Sequence, residues 1–251
     1  KELTIVNRGY IKAQKQVGTL GGGNHFVEIQ KGSDGFVWIM IHSGSRNLGY
    51  GVARHYNQLA VKINERFHSV VTKNQELAFF PIEMKEAHDY IAEMNYCIAF
   101  ALANRKHMMH NMVKALTGVM GDFETDEIIN KSHNFAAWEQ HYGENVLVHR
   151  KGATRAREGE LGMIPGSQGT SSYIVKGLGN QESFESCSHG AGRKMGRKQA
   201  QRELNLEAEV AALNAKGVVH AMRGKSDLDE APSAYKNIDV VMENQKDLAE
   251  I

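Results

Sequence analysis

The chain is poor in the residues that mark an extracellular, membrane-bound or metal-finger protein. Its 251 residues include two cysteines, Cys97 and Cys187, too few for a disulfide framework and in keeping with a reducing compartment. No apolar run approaches the roughly 20 residues of a membrane-spanning helix, and no signal peptide is visible. A cytoplasmic protein with no membrane partner is therefore expected. Neither sign of charge predominates: 30 Lys and Arg face 29 Asp and Glu. Overall charge cannot hold a polyanion, so any such site must be a local cluster. There is no HExxH, no CxxC and no GxxxxGK[ST] loop, which removes the most readable zinc and nucleotide motifs. Proline is scarce too, with 3 residues against 25 glycines.

What is present begins with those glycines. They cluster at 18–23, 44–51, 152–169 and 177–192, and clustered glycine means backbone bent tightly or approached closely. Between the clusters lie regular elements. Phe36–Ile41 is an apolar run that predicts a buried strand ending in His42-Ser43-Gly44-Ser45-Arg46. Asn24–Gln30 predicts a second strand, with Asn24, Phe26 and Glu28 on one face and His25, Val27 and Ile29 on the other. Val146–Val148 and Tyr173–Val175 predict short strands beside glycine-rich loops. Helices are predicted over 52–67, 86–116, 193–204 and 207–215; in the second, Ile91, Met94, Ile98, Ala101 and Leu102 recur at helical spacing. Strands and helices do not alternate regularly, so the expected class is α+β, in a single domain over 1–251. The chain starts without Met and stops in mid-pattern, and a longer parent protein is expected.

Three constellations carry chemistry. Ser186-Cys187-Ser188-His189-Gly190-Ala191-Gly192-Arg193 places an imidazole beside a small-residue turn. With a helix predicted from Arg193, that turn is expected to offer unpaired N–H groups, a helix dipole and the charges of Arg193 and Arg197 to a phosphate. An imidazole there can attack phosphorus as well as donate to it. Ile164–Ser172 sets small hydroxyl residues among glycines, an anion nest or an ordinary turn. His149–Arg157 holds five basic or imidazole side chains in a nine-residue run, either a solvated face or a phosphate-contact patch. Four histidines, His25, His42, His133 and His189, sit in polar or glycine-rich loops, where several imidazoles can converge on a metal. For any one of them a hydrogen-bonded loop residue is the plainer reading; together they favour a site.

Taken in order, Gly18–Glu28, His42–Arg46, His133-Asn134, Arg150–Thr154, Pro165–Gly169 and Ser188–Arg193 closely resemble blocks of the RtcB family, GTP- and Mn²⁺-dependent RNA ligases. The resemblance runs from about residue 16 to the end. It implies an α+β fold with a central β-sheet core, flanking helices and an active-site cleft at strand-end loops. It implies joining of a 3′-phosphate or 2′,3′-cyclic-phosphate RNA end to a 5′-hydroxyl end through a GMP–histidine intermediate. By position, it casts His189 as the nucleophile and His25, His42 and His133 as Mn²⁺ ligands. Asn24, Glu28, Asn134, Pro165, Gly166, Ser167, Gln168, Ser172, Gly190, Ala191, Gly192 and Tyr235 become guanylate contacts. Arg46, Arg150, Lys151, Arg193 and Arg197 become contacts to RNA or GTP phosphates. The partner implied is RNA, with room for an accessory activator protein.

Two family features are missing: an upstream Asp-x-Gly-Cys motif whose Asp and Cys bind metal, and a terminal Lys-Gly. Both are expected to lie outside these 251 residues. The competing readings are a metal-dependent phosphatase or nuclease, which needs a carboxylate-bridged metal pair, and a non-catalytic RNA-binding module.

Overall fold

The computed structural model describes residues 2–70, 77–126 and 128–251. Its elements are mixed helix and strand, and every strand pair is antiparallel, which bears out the α+β class. The chain divides into two compact units, residues 1–130 and 131–251.

The first unit is three helices and a hairpin. Helix α1 (Thr4–Gln14) precedes strands β1 (Phe26–Lys31) and β2 (Val37–His42), then α2 (Arg46–Arg66) and α3 (Lys85–Met120). At 36 residues, α3 is about 54 Å long. Its buried positions Glu93, Cys97, Ala101, Asn104 and Met108 recur every three or four residues. Cys97 joins Val6, Ala13, Leu48, Val52 and Tyr56 in the core between the helices. Two members of the stripe are polar, and both are fully engaged. Glu93 accepts the first-turn N–H groups of α1, from Ile5 at 3.1 Å and Val6 at 2.8 Å, and the Tyr56 hydroxyl at 3.2 Å. It caps α1, which offers no capping side chain of its own. Asn104 serves the loops described below.

The second unit is richer in strand. A hairpin of β3 (Asn134–His141) and β4 (Glu144–Lys151) turns at Tyr142-Gly143, both with positive φ, the two-residue turn whose twist suits antiparallel strands. Strand β5 (Ala153–Arg155) pairs with β8 (Ser186–Ser188), and β6 (Leu161–Ile164), β7 (Tyr173–Gly177) and β9 (Ala249–Glu250) form a three-stranded sheet. Helices α4 (Arg197–Glu203), α5 (Leu206–Ala215) and α6 (Ile238–Glu243) complete it. Ile164, Val175, Cys187, Ala191, Ile238 and Met242 share one core, and Leu213, Met222, Leu228 and Ala231 another.

The described strands make four small sheets of two or three strands, most of the strands being short and separated by glycine turns. Two expectations are corrected. The Phe36–Ile41 run is no buried strand: Phe36 and Val37 are exposed and the rest half-buried, since β2 has a single neighbour. The helix predicted from Arg193 begins at Arg197, after Gly196. Among the described residues no helix is long and apolar enough to cross a membrane.

Candidate catalytic and metal-binding residues

In the first unit, the glycine loop 18–23 leads to His25, and β2 delivers His42 opposite Phe26 in the register. The His25 and His42 ring centroids are 6.1 Å apart, and Phe26 lies 5.4 Å from His42. Both His25 and Phe26 thus flank His42. His25 precedes the ladder, which begins at Phe26, so the alternation predicted for residues 24–29 applies from Phe26 onward. His25 Nδ1 lies 2.8 Å from the Leu20 carbonyl and 3.5 Å from an Arg46 nitrogen. The shorter contact requires the proton on Nδ1, which leaves the Nε2 lone pair for a metal. Burial lowers the His25 pKa, the Arg46 charge lowers it further, and the Leu20 hydrogen bond opposes both. Gly21, at φ +101°, is required here, because a Cβ would stand 2.4 Å from His25 Nδ1. Arg46, itself at φ +56°, also donates to Thr19. Glu28 is raised by burial, its carboxylate receiving the Gln30 amide at 2.7 Å. Asn24 is exposed on the loop.

In the second unit, the His133 and His189 rings lie 4.7 Å apart, tilted by 32°. Gly152 supports both. Its N–H reaches the His133 carbonyl at 2.8 Å and Asn134 Oδ1 at 3.1 Å, and a Cβ on it would meet the His189 ring at 3.0 Å. Burial lowers the His189 pKa, with the Lys151 charge adding to the effect and a backbone hydrogen bond at Gly152 opposing it. The lowered pKa favours the uncharged imidazole, the form able to act as a nucleophile. The turn after it sits on the serine-rich loop: the Ala191 N–H donates to the Pro165 carbonyl at 3.0 Å, and Gly190 leaves no spare space against Pro165.

The helix dipole expected at His189 is absent, because residues 189–196 form a loop in which Arg193 makes an isolated bridge with Tyr235. Arg193 and Arg197 are held by Glu230, and Arg197 also by Asp229. Tyr235 lies under the Arg193 guanidinium and donates to Glu230; burial, then that carboxylate, pushes its hydroxyl up to about 12. The serine-rich loop spends part of its donor set internally, the Gly166 N–H on the Ser172 hydroxyl and the Ser167 N–H on Thr170. Gln168 donates to the Glu230 carbonyl.

The basic run is split by strand alternation. Lys151 and His149 are exposed, whereas Arg150 is buried. Its guanidinium grips both Glu139 oxygens at 2.7 and 2.9 Å, the Ser186 hydroxyl and the Phe184 carbonyl. In this structure Arg150 is an internal strut rather than an open phosphate contact. Glu139, His141 and Glu185 are the one group of three candidate metal donors found within 4.8 Å among the described residues. None was singled out from sequence. The signal was the Tyr142-Gly143 turn, whose register puts Glu139, His141 and Arg150 on one face. Arg150 and Arg157 already neutralise its carboxylates. Burial pushes Glu139 up, but hydrogen bonds from Arg150 and His141 outweigh it and hold the carboxyl below its usual range.

Each unit thus holds a close pair of histidines in glycine-framed loops, a donor set suited to a metal or a phosphate. The comparison with known sequences narrows that choice. The family model described as "tRNA-splicing ligase RtcB" matches residues 2–251, and the chain belongs to that family. It is 42% identical to the RNA-splicing ligase RtcB of Escherichia coli K12, over 94% of this chain and 59% of that protein. It is 34% identical to the tRNA-splicing ligase RtcB of Thermococcus kodakarensis, over 91% and 55%, and 32% identical to the RNA-splicing ligase RtcB of Mycobacterium tuberculosis, over 95% and 62%. The chain thus spans somewhat over half the length of these relatives.

Proposed function

We propose that this chain carries the catalytic machinery of an RNA ligase, joining a 3′-phosphate or 2′,3′-cyclic-phosphate end to a 5′-hydroxyl end. Its residues serve one catalytic domain in the cytoplasm, with strand-end loops lining the active-site cleft around a β-sheet core. GTP and Mn²⁺ are the cofactors and RNA the partner, an accessory activator protein being a further one.

The imidazole of His189, set against His133 in a glycine-framed loop that favours its uncharged form, carries this reading. A His189 nitrogen would attack the α-phosphorus of GTP, a P–N bond forming as the P–O bond to pyrophosphate breaks; transfer to the RNA 3′-phosphate would break that P–N bond, and attack by the 5′-hydroxyl would then join the ends and release GMP. His25 and His42 in the first unit would be Mn²⁺ ligands, and His133 in the second is proposed as a Mn²⁺ ligand too. The donor chemistry fits, since the Leu20 carbonyl fixes the Nδ1 proton of His25 and leaves Nε2 as ligand. When bound, the ion neutralises phosphate charge. Lys151, exposed beside Gly152, supplies a cation for phosphate; Arg46, Arg193 and Arg197 are further contacts. Asn24, Glu28, Asn134, the Pro165–Gln168 loop, Ser172, Gly190–Gly192 and Tyr235 receive the guanylate.

The hydrolase alternative needs carboxylates open to bridge two metals. The one candidate cluster among the described residues is instead held by Arg150 and Arg157. Incubation with α-labelled GTP and MnCl₂ tests the proposal: an acid-labile, alkali-stable adduct is expected, and His189→Ala should abolish it. An adduct that survives the substitution would overturn the assignment.

A further inference from the structure

Asn104 lies at the middle of α3, in a stripe whose neighbouring positions are Cys97, Ala101 and Met108, and it is completely buried. A carboxamide in such a place costs stability unless every polar atom is bonded. Apart from a 3.9 Å contact of Nδ2 with Met108 Sδ, the bonds of its side chain go to the two loops that carry His25 and His42. Its Oδ1 accepts the Gly18 N–H at 2.7 Å and the Thr19 N–H at 3.2 Å. Its Nδ2 is shared among the Thr19 carbonyl at 3.2 Å, the Ser43 hydroxyl at 3.1 Å and the Gly44 carbonyl at 3.2 Å. Ser43 in turn donates to the Leu20 carbonyl at 2.7 Å, and that same carbonyl accepts from His25 Nδ1 at 2.8 Å. Next along the helix, Arg105 donates to the Ser43 carbonyl at 3.0 Å.

A chain of contacts therefore runs from α3 through Ser43 and Leu20 to the His25 ring, and directly to the residues that follow His42. The glycine loop 18–23 has much conformational freedom to lose, and one side chain on a long helix removes it. We propose that Asn104 is the positioning residue of the His25–His42 pair: with Ser43 as relay, it sets the tautomer and aim of the His25 imidazole and so the strength with which the pair holds a divalent cation. The proposal rests on the metal-ligand reading of His25 and His42.

The test uses the 251-residue chain with Asn104→Ala, Asn104→Asp, Ser43→Ala and a control, Asn64→Ala. Asn64 is an equally buried clamp in the same unit, bonded to the backbone of Phe79 and to neither histidine loop. Two quantities are measured beside the unfolding midpoint: Mn²⁺ affinity by electron paramagnetic resonance, and the His25 tautomer in metal-free protein by ¹⁵N imidazole shifts. Asn104→Ala should weaken Mn²⁺ binding by about 10–100-fold, the usual cost of losing an outer-shell partner, and mix the His25 tautomers. Ser43→Ala, which leaves the Asn104 bonds to loop 18–23 in place, should do the same to a lesser degree and keeps the test open if Asn104→Ala fails to fold. Asn104→Asp keeps the two acceptor contacts and loses the donors, and should fall near Ser43→Ala. Asn64→Ala should lower the midpoint and leave both readouts alone. Unchanged tautomer and affinity in Asn104→Ala and Ser43→Ala, with only the midpoint lowered, would reduce Asn104 to a structural clamp. If instead Mn²⁺ binding is insensitive to His25→Ala and His42→Ala, the metal reading fails, and the tautomer measurement still decides whether Asn104 aims the ring.

Discussion

Each unit of this protein carries a pair of close imidazoles, and the two pairs are built by different means. His25 and His42 are aimed by side chains, Asn104 and Ser43, reaching from a long helix and a strand end into flexible loops. His133 and His189 are framed by backbone: Gly152 ties the start of β3 with one N–H and leaves room for the His189 ring, while Pro165 receives the Ala191 N–H. The contrast fits the roles proposed for His25, His42 and His189. A metal ligand must present one lone pair in one direction, which an outer hydrogen bond enforces. A nucleophile that is to carry a nucleotide needs space around it, and glycine backbone provides support without bulk.

The comparison extends to the buried carboxylates, where the largest effect on stability is expected. Glu139 in the second unit neutralises a buried guanidinium, whereas Glu93 in the first satisfies two N–H groups and a hydroxyl. Glu139→Ala strands the Arg150 charge and should cost about 3–5 kcal/mol. Glu93→Ala strands neutral donors and should cost about 1–3 kcal/mol. Urea unfolding of the two variants measures the difference, and equal losses would mean that Arg150 finds another partner.

Next comes the glycine frame. Gly152→Ala adds a methyl 3.0 Å from the His189 ring at a residue with φ +68°, so the ring must move. Displacement of a reacting group by about 1 Å is worth roughly 100-fold, and adduct formation should slow by that order. Mn²⁺ affinity should change far less if the side-chain clamp of the other pair is the one that sets it. A variant that forms adduct at the normal rate would show that the frame yields.

The smallest effect is that of acid, and its sign differs between units. His25 and His189 both have pKa values lowered below 6.5, so the unfolded chain takes up these protons more readily and both units lose stability as pH falls below 6.5. Lower still the units diverge. Burial raises Glu160, but Arg155 and Lys131 outweigh it and hold the carboxyl at about 2, so its contribution is lost as pH falls from 4.5 toward 2. Glu28 in the first unit is raised by burial, so its protonated form suits the fold and acid spares it. Hydrogen exchange at pH 4 against pH 6 should show the second unit opening more. The opposite ranking would contradict the two carboxylate environments.

Much of this was legible along the chain. Helix α3 announced itself because its apolar positions recur over many turns, and β4 and β7 because short apolar runs adjoin glycine turns. The four loop histidines could be picked out by their small polar neighbours, and two pairs of them come together, each within its own unit. Helix α1 is short, 11 residues, and its first turn is capped by Glu93, 88 residues from Ile5. Arg150 read as one of a basic run because neighbouring cations look alike until a register assigns one to each face. The helix start at Arg193 was misplaced because Arg193 pairs with Tyr235 instead, 42 residues on.

The amino-acid sequence by itself determined what depends on neighbours: helical and strand periodicity, glycine turns, the kinds of side chain gathered in each loop, and through them the family. Only the tertiary structure decided which polar groups are spent inside the fold and which are left for ligands. A buried hydrogen bond or ion pair is strong when solvent is excluded and costly when unmade, and that balance depends on partners distant in the chain. Asn104 and Arg150 are ordinary letters until folding closes around them.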